Sequence, residues 1–488
     1  MVSNAKTARN AVWSVFGQGT GQMLSLLGFL VIARFVSQES FGLVAVSMAT
    51  IEFIRRVFLD PITYALTAKP DIRERDYNVS ITLLTLLGIA ATAIVFVAAG
   101  PLTKLIGTPG AAAPLRIMSL LLLFYSLSGT HGSWLARNMR FRALALRSTG
   151  SVVVGGAIGI TMALKGFEMW ALVAQQLSIG IISMATLWMS TDWTPRPMLR
   201  RDDIGRTYRA VRHISMSSVW TSLGNDADLF FASAWFGPAV AGIYNAAKRI
   251  MLSANMILVQ ALSAVALSSL ANVEHDDHRR EEFAGGLAFT SAVTAPAFCG
   301  LAITASDTVT VILGDHWAGV APILSALALS GYLLSLGIIA TSVLLVTQRP
   351  HLDSFSAAVA AVANVVTFLA VIRFGPVALA ITVSATALLV VPMRLGFALR
   401  AVGGGWADAW RAVLPSLLAT AIMFGVLLLA RTLLPAGVPA IARLALLVGL
   451  GVTVYATALR VTGRALFDLV RGALGLARPP REVIAAAE

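Results

Sequence analysis

Four ionisable side chains lie close together in a segment that is otherwise apolar enough to enter a membrane. Residues 49–66 read ATIEFIRRVFLDPITYAL, and within them stand Glu52, Arg55, Arg56 and Asp60. At 100° per residue of a helix, all four fall in one sector of about 140°. Glu52 and Asp60 each lie four positions from Arg56, a spacing at which helical side chains form ion pairs. Arg55 lies to one side of that set, so we expect it to be the free cation.

A second set of charges lies in two later apolar segments. Asp226 and Asp228 are two positions apart, so on a helix they point about 200° from each other and cannot form one tight pair. Lys248 and Arg249 follow in the next apolar segment, where they could also extend toward lipid headgroups. We expect one aspartate to neutralise one of these two cations across the helix interface. The alternative, that an aspartate binds a coupling ion, stays open.

Charges in apolar spans have two explanations that the sequence leaves open. One charge at the bilayer centre costs about 2.5–3.5 kcal/mol on insertion scales, so these side chains must face protein or water. They form either a structural ion-pair network or a water-filled cavity that attracts an anion, since guanidinium groups bind phosphate oxygens in pairs. The candidate substrate-binding cations are Arg55, Arg56, Lys248 and Arg249. The candidates for ion coupling or charge balance are Glu52, Asp60, Asp226 and Asp228.

The composition requires a membrane for most of this chain. Of 488 residues, 57% are hydrophobic and 12% charged, with a mean hydropathy of +0.80, whereas soluble domains carry about 25% charged residues. The net charge of +13 would suggest nucleic acid in a soluble protein. Here we attribute it to cytoplasmic loops, which collect Lys and Arg. Cys299 is the only cysteine, which excludes an intrachain disulfide.

Apolar segments long enough to cross a bilayer recur along the whole chain, because a spanning helix needs about 20 residues. We predict fourteen spans, near 12–33, 42–66, 79–99, 113–135, 148–164, 169–189, 214–236, 241–265, 283–305, 319–345, 352–372, 376–397, 413–430 and 441–462. We expect the first span to be retained rather than cleaved as a signal peptide. With the amino terminus in the cytoplasm, most Lys and Arg residues fall on cytoplasmic connections, so both termini are predicted to be cytoplasmic.

The spans divide into two groups of six and a final pair. The predicted parts are an N-terminal lobe (1–190), a cytoplasmic linker (191–213), a C-terminal lobe (214–397), a cytoplasmic loop (398–412), two further spans (413–462) and a cytoplasmic basic tail (463–488). A weak repeat relates the lobes at an offset of 200 residues, since FVSQESFGLVAV (35–46) aligns with WFGPAVAGIYNA (235–246). Gly42 then aligns with Gly242. We expect pseudo-symmetric lobes related by an axis along the membrane normal.

Several stretches resemble a known transporter family. LVIARFVSQESFGLVAVSM resembles the first and second spans of bacterial polysaccharide transporters, the lipid-linked oligosaccharide flippases of the multidrug/oligosaccharidyl-lipid/polysaccharide superfamily. NDADLFFASAWFGPAVAGIYNAAKRI is similar to that family's seventh and eighth spans, with Asp228, Tyr244, Ala247 and Arg249 at matching positions. ILGDHWAGVAPIL and FGPVALAI resemble the entries to spans ten and twelve. The likeness covers most of residues 10–400.

The resemblance implies an all-α integral membrane protein of about fourteen transmembrane helices. Two pseudo-symmetric six-helix lobes and two C-terminal helices would form a fold like that of multidrug exporters of the same superfamily. The implied function is to flip an undecaprenyl-diphosphate-linked oligosaccharide across the bacterial inner membrane by alternating access, for exopolysaccharide, capsule or O-antigen synthesis. The implied partners are lipid-linked oligosaccharide, membrane lipids, and a polysaccharide polymerase and chain-length regulator.

Three other functions remain open at this stage. A multidrug exporter would need carboxylates to dominate its cavity, because its usual substrates are cations. A lipid II flippase would share a cationic cavity. A polysaccharide polymerase or ligase commonly carries a large periplasmic loop, and the connections predicted on that side are short. We predict no catalytic residue, metal, cofactor or nucleic-acid partner, and the coupling ion, a proton or sodium, is left open.

Overall fold

The computed structural model describes residues 21, 23–271, 276–435 and 437–473, of which nearly all are helical and none is in a strand. The all-α prediction is therefore confirmed for this part of the chain. The start of the predicted first span, and the predicted basic tail beyond residue 473, lie outside the described residues.

Sixteen helices follow one another in the described chain. The first nine are α1 (Met23–Ala33), α2 (Gln38–Ile54), α3 (Asp60–Ala68), α4 (Glu74–Leu105), α5 (Ala112–Met118), α6 (Leu120–Arg137), α7 (Phe141–Leu164), α8 (Met169–Ser190) and α9 (Arg201–Ala271). The others are α10 (Asp276–Ile312), α11 (Val320–Val346), α12 (Pro350–Val371), α13 (Pro376–Ala401), α14 (Trp406–Leu433), α15 (Ala440–Thr462) and α16 (Arg464–Ala473).

Ten helical segments in the described residues are long and apolar enough to cross a membrane. They coincide with ten of the fourteen predicted spans. The remaining four correspond to α1, to α2 with α3, and to two parts of α9. The 71-residue α9 is interrupted at Gly237, whose φ of 83° only glycine adopts easily. Large apolar side chains on the spans remain exposed, such as Val97 at 76%, as expected of surfaces that face lipid.

The described residues form two compact units. The first contains described residues of 1–249 and 357–379, and the second contains those of 250–356 and 380–488. All eight candidate site residues lie in the first unit. The predicted division into two six-helix lobes stays a prediction.

Each unit has an apolar core made of tightly packed helices. In the first unit, small residues of α2 (Ala45, Val46 and Ala49) pack against Leu229 and Ala241 of α9. In the second unit, a larger core joins α10, α11, α13 and α14. Small side chains at the contact let α2 and α9 approach closely, as is usual between membrane helices.

Candidate functional site

Two of the four candidate charges of the second predicted span, Arg55 and Arg56, lie on a π-helical turn, which Glu52 and Asp60 flank. Arg55–Leu59 form this turn between α2 and α3, and the N–H of Asp60 donates to the carbonyl oxygen of Arg55. Pro61, the residue after Asp60, explains this wide turn. It has no N–H to donate, and its ring crowds the preceding turn of the helix. Such single wide turns are frequent at functional sites. They also change the directions in which the following side chains leave the helix.

The prediction that Arg55 is a free cation is wrong. Its Nη2 lies 2.7 Å from the Glu52 carboxylate, and its Nε lies 3.7 Å from Asp60. The guanidinium also lies over the ring of Tyr125, 4.8 Å from the centroid. The expectation placed Arg55 by regular α-helical angles, and the π-helical turn invalidates those angles. Arg55 is therefore held by two carboxylates and an aromatic face.

Arg56 connects the second predicted span to the seventh. Its Nη1 donates to Asp226 of α9 at 2.7 Å, whereas its Nε lies 3.7 Å from Glu52 within the same helix. The sequence spacing indicated that Arg56 pairs with Glu52 and Asp60 of its own helix. The contact with Asp226 was not predicted, because it depends on how two distant helices pack. It joins residues 170 positions apart in sequence.

Asp228 and Lys248 form the pair that the sequence predicts across the helix interface. Lys248 Nζ lies 2.7 Å from Asp228, and it also donates to the carbonyl oxygen of Asn225. The Tyr244 hydroxyl donates to the same carboxylate at 3.1 Å. Asp228 is only 2% exposed. A carboxylate this buried needs such donors, since an unpaired one is strongly disfavoured.

Arg249 is the candidate cation that lacks an anionic partner. Its Nη2 donates to the hydroxyl oxygen of Ser25 at 3.0 Å, and its guanidinium lies 4.6 Å from the ring centroid of Phe29. Within the described chain, no carboxylate pairs with it. The neighbours of Arg249 in the described residues are therefore neutral, and none of them compensates its positive charge.

The repeated segments at 35–46 and 235–246 contact each other directly. A Cβ atom on Gly42 would overlap the carbonyl oxygen of Pro238, and one on Gly242 would overlap that of Gln38. An offset of 200 residues relates Gln38 to Pro238 and Gly42 to Gly242. The Gly42–Pro238 and Gly242–Gln38 contacts are therefore equivalent under the repeat. Both helical segments also begin at equivalent positions, after Ser37 and after Gly237. The weak sequence repeat is therefore a local two-fold contact that depends on glycine.

Sequence reasoning missed two residues of this region. Arg147 lies on α7, and its buried Nε has no hydrogen-bond partner among the described residues. Arg147 lies one residue before the predicted fifth span (148–164), whereas α7 begins at Phe141. An aromatic residue such as Tyr125, in an apolar segment, carries no sequence pattern that distinguishes it from a lipid-facing one.

The second unit contains an apolar groove with a volume of about 740 Å³. Its walls come from α10, α14, α15 and α16. They include Gly300, Met423, Leu447 and Gly451, and the one charged residue among the described lining residues is Arg471. The groove offers apolar surface and very few polar partners, which suits a hydrocarbon chain.

These features define a class of protein: a helical transporter with charges buried inside its spans. The fold resembles those of several solved structures, and these likenesses concern the fold alone. One is a lipid II flippase, MurJ, in an inward closed conformation, with a TM-score of 0.76, 16% identity, and coverage of 93% of this chain and 99% of that one. Another is a multidrug resistance MATE family transporter of the MOP superfamily, with a TM-score of 0.57, 13% identity, and coverage of 83% and 95%.

The chain belongs to the polysaccharide biosynthesis protein family, whose model matches residues 31–322. A curated relative, the succinoglycan biosynthesis transport protein ExoT of Rhizobium meliloti, is 30% identical over 340 residues, which cover 68% of each chain. The family likeness inferred from the sequence is confirmed. The protein is a multi-pass membrane protein of the polysaccharide transporter and flippase class.

Proposed function

We propose that this protein flips undecaprenyl-diphosphate-linked oligosaccharide repeat units from the cytoplasmic to the periplasmic leaflet of the bacterial inner membrane. Transport proceeds by alternating access, both termini lie in the cytoplasm, and the protein is not an enzyme. The product supplies exopolysaccharide, capsule or O-antigen synthesis, next to a polymerase and a chain-length regulator. The relative ExoT, a succinoglycan transport protein, favours exopolysaccharide among these.

One observation carries the proposal, namely the uncompensated charge of Arg249. The other seven candidate residues comprise three cations and four carboxylates, and ion pairs join them. Among the eight candidates, Arg249 is the one whose described contacts are with neutral groups. Leaving a charge unpaired in a membrane span is costly. An anionic ligand would offset that cost, and a diphosphate matches the paired N–H groups of a guanidinium.

The rest of the site suits a large polar headgroup on a long lipid. The ion-paired side chains, three cations and four carboxylates, offer hydrogen-bonding groups to sugar hydroxyls. A hydrocarbon chain needs apolar surface, and the second unit, taken by itself, contains a groove with such a surface. During transport the polyprenyl chain would stay in contact with lipid along such a surface.

A multidrug exporter for cations fits this arrangement less well. Its substrate would meet the positive charge of Arg249, while each carboxylate of the site already has a cationic partner. A lipid II flippase would bind the same diphosphate, so charge does not separate it from our proposal. The phenotype of cells without the protein does.

The test is deletion of the gene in its host, followed by complementation. We expect loss of surface polysaccharide with intact growth, full recovery with the wild-type protein, and little recovery with Arg249→Ala. Arg209→Ala is the matched control, because Arg209 lies on the same helix with an exposed side chain. Cell lysis on depletion would instead identify lipid II as the substrate. Full polysaccharide output from Arg249→Ala at normal protein levels would contradict the role of Arg249.

A further inference from the structure

The ten residues between α8 and α9 have no regular secondary structure, yet contacts attach them to the first unit along their length. Residues 191–200 read TDWTPRPMLR and lie between Ser190 and Arg201. Pro195 and Pro197 disfavour a helix here, because the proline ring fixes its own φ and restricts the preceding residue to an extended backbone. The sequence of this segment therefore favours an extended chain.

The two prolines leave Arg196 and Met198 as the backbone N–H donors of residues 195–198, and α4 accepts a hydrogen bond from each. The N–H of Arg196 donates to Asn78 Oδ1 at 2.9 Å, and that of Met198 donates to Thr82 Oγ1 at 3.0 Å. Asn78 and Thr82 are four positions apart on one face of α4, which is about 6 Å along the helix axis. Two residues of a polyproline-like chain also rise about 6 Å, so the donors and acceptors have matching spacing.

A buried tryptophan attaches the first half of the same segment. Trp193 is 9% exposed and packs in an apolar cluster with Leu66 and Tyr77. Its ring centroid lies 5.6 Å from that of Tyr77 and 5.3 Å from that of His131. Beside it, Thr191 Oγ1 lies 2.7 Å from His131 Nδ1. Burial of a large aromatic ring contributes strongly to such an attachment.

A buried carboxylate in the first turn of α9 attaches the end of the segment. Asp203 is 5% exposed, and it accepts hydrogen bonds from Arg75 of α4 at 3.1 Å and from Arg206 at 2.7 Å. The backbone N–H of Arg200 donates to the same carboxylate at 3.1 Å. A carboxylate this buried requires its donors, so these contacts hold the start of α9 against the start of α4.

We propose that residues 191–200 form a fixed strap, which keeps the start of α9 docked on the start of α4 through the whole transport cycle. This inference rests on the proposed function, because the cycle concerned is the alternating access of that function. The strap, α4 and the first part of α9 all belong to the first unit. The connection between α8 and α9 is then a structural brace and does not act as a free tether.

Release of the strap would be unfavourable at each of these contacts. The N–H groups of the segment could turn to water, but the buried Asn78 amide and Asp203 carboxylate would lose partners that they need. The ring of Trp193 would lose its apolar contacts as well. A segment that opened in every cycle would meet all of these costs each time, so a permanent contact is the more favourable arrangement.

The strap also fixes the position of a helix that carries part of the charged network. α9 runs without a break from Arg201 to the kink at Gly237, so the position of its first turn is transmitted along this length. Asp226, which pairs with Arg56, lies on the same stretch. A docked strap therefore holds Asp226 at a fixed axial position relative to α4.

Hydrogen exchange on the purified full-length protein tests the docking itself. Because prolines have no N–H, Arg196 and Met198 carry the only backbone amides of residues 195–198. We expect these amides to exchange at least about tenfold more slowly in the wild-type protein than in Asn78→Ala/Thr82→Ala, which removes both acceptors. Arg196→Ala keeps the N–H, so this matched control should exchange as slowly as the wild type. Wild-type exchange as fast as that of the double variant would overturn the strap.

A reversible cross-link tests whether the strap stays docked during transport. Thr82→Cys/Met198→Cys is made together with Cys299→Ser, because Cys299 is the only native cysteine. A short bis-methanethiosulfonate reagent joins the two thiols, and a reductant releases them. We expect the cross-linked protein in lipid vesicles to flip a fluorescent lipid-linked oligosaccharide as fast as the same protein does after reduction. Loss of flipping on cross-linking, with recovery on reduction, would overturn the inference.

Failure of this inference is distinguishable from failure of the proposed function. If the wild-type protein flips no lipid-linked oligosaccharide, the proposed function is contradicted and the claim about the cycle falls with it, whereas the exchange experiment still decides whether the strap is docked. If the reduced protein flips the lipid and the cross-linked protein does not, only the fixed strap is contradicted. The reduced protein also guards against a variant that merely fails to fold, since both states come from one preparation.

Discussion

The charged network around α2 and α9 differs from the apolar groove of α10, α14 and α15 in the kind of contact that each region makes. In the network, three ion pairs have distances of 2.7 Å, and one of them, Arg56–Asp226, joins residues 170 positions apart in sequence. In the groove, one charged residue stands among otherwise apolar or weakly polar lining residues. The network offers charged and polar groups, whereas the groove offers apolar surface.

The difference also predicts how each region responds to substitution. The network depends on directional contacts and on close helix approach, so small changes should have large effects. The groove depends on volume and apolarity, so it should tolerate most substitutions and fail only when filled. The four predictions below test this contrast, from the largest expected effect to the smallest.

The largest effect is expected at the glycine contact beside the network. Gly42→Ala and Gly242→Ala each place a Cβ atom against a backbone carbonyl that cannot rotate away. We expect each to lower stability by about 3 kcal/mol and to abolish transport, measured by thermal unfolding in detergent and by polysaccharide output. Gly156→Ala is the control, since its Cβ would meet nothing within 4 Å. Two stable, active alanine variants would show that α2 and α9 do not touch there.

The interhelical ion pair should give the next largest effect. Asp226→Ala leaves Arg56 without its partner at 2.7 Å, and we expect a loss of about 1–2 kcal/mol, less than for a fully buried pair. Asp192→Ala, which breaks an exposed pair with Arg140, should cost under about 1 kcal/mol. Chemical unfolding of both variants measures the difference. Equal losses would mean that the Arg56–Asp226 pair is no more than a surface contact.

Filling the groove should affect transport and spare stability. Gly300 lines the groove, and a Cβ there would meet nothing within 4 Å, so Gly300→Phe adds volume without a clash at its base. We expect several-fold slower flipping of undecaprenyl substrates and normal flipping of analogues with a short prenyl chain. Gly425→Phe, on the exposed face of α14, is the matched control. Equal slowing of both chain lengths would argue against the groove as a chain site.

The smallest effect is expected outside the membrane, where Glu168 accepts hydrogen bonds from Ser37. The backbone N–H of Ser37 donates to the carboxylate at 3.1 Å and lowers the pKa of Glu168 below its usual 4.5. Since the folded-state pKa is depressed, the carboxylate stabilises above pH 4.5 and loses that contribution as the pH falls through the folded-state pKa. Because Glu168 is exposed, its contribution to the free energy of unfolding is limited to about a few tenths of a kcal/mol. Glu168→Gln should abolish this acid-dependent part of the unfolding free energy, and an unchanged pH profile would contradict it.

The sequence predicted the spans well because hydropathy and length set them directly. Ten predicted spans coincide with long apolar helices, and charge neutralisation predicted that one of the two aspartates pairs with Lys248 or Arg249, without specifying which. The ion pairs of Arg55 could not be predicted, because a proline at position 61 indicates an irregular turn but does not specify that the turn is π-helical. The contact of Arg56 with Asp226 depends on how two distant helices pack, and hydropathy contains no information about that. Arg147 was not identified as a residue of a span, because the predicted fifth span begins at residue 148 and α7 begins at Phe141.

The most direct test of the account is transport by the purified protein in lipid vesicles. A fluorescent undecaprenyl-diphosphate-linked oligosaccharide is placed in one leaflet, and its appearance in the other is followed with a membrane-impermeant quencher. We predict flipping by the wild-type protein and by Arg209→Ala, with a decrease of at least about tenfold for Arg249→Ala, as expected on losing a charge-assisted contact. No flipping by the wild-type protein, or equal rates for Arg249→Ala, would contradict the claim that an uncompensated arginine in α9 binds the lipid diphosphate.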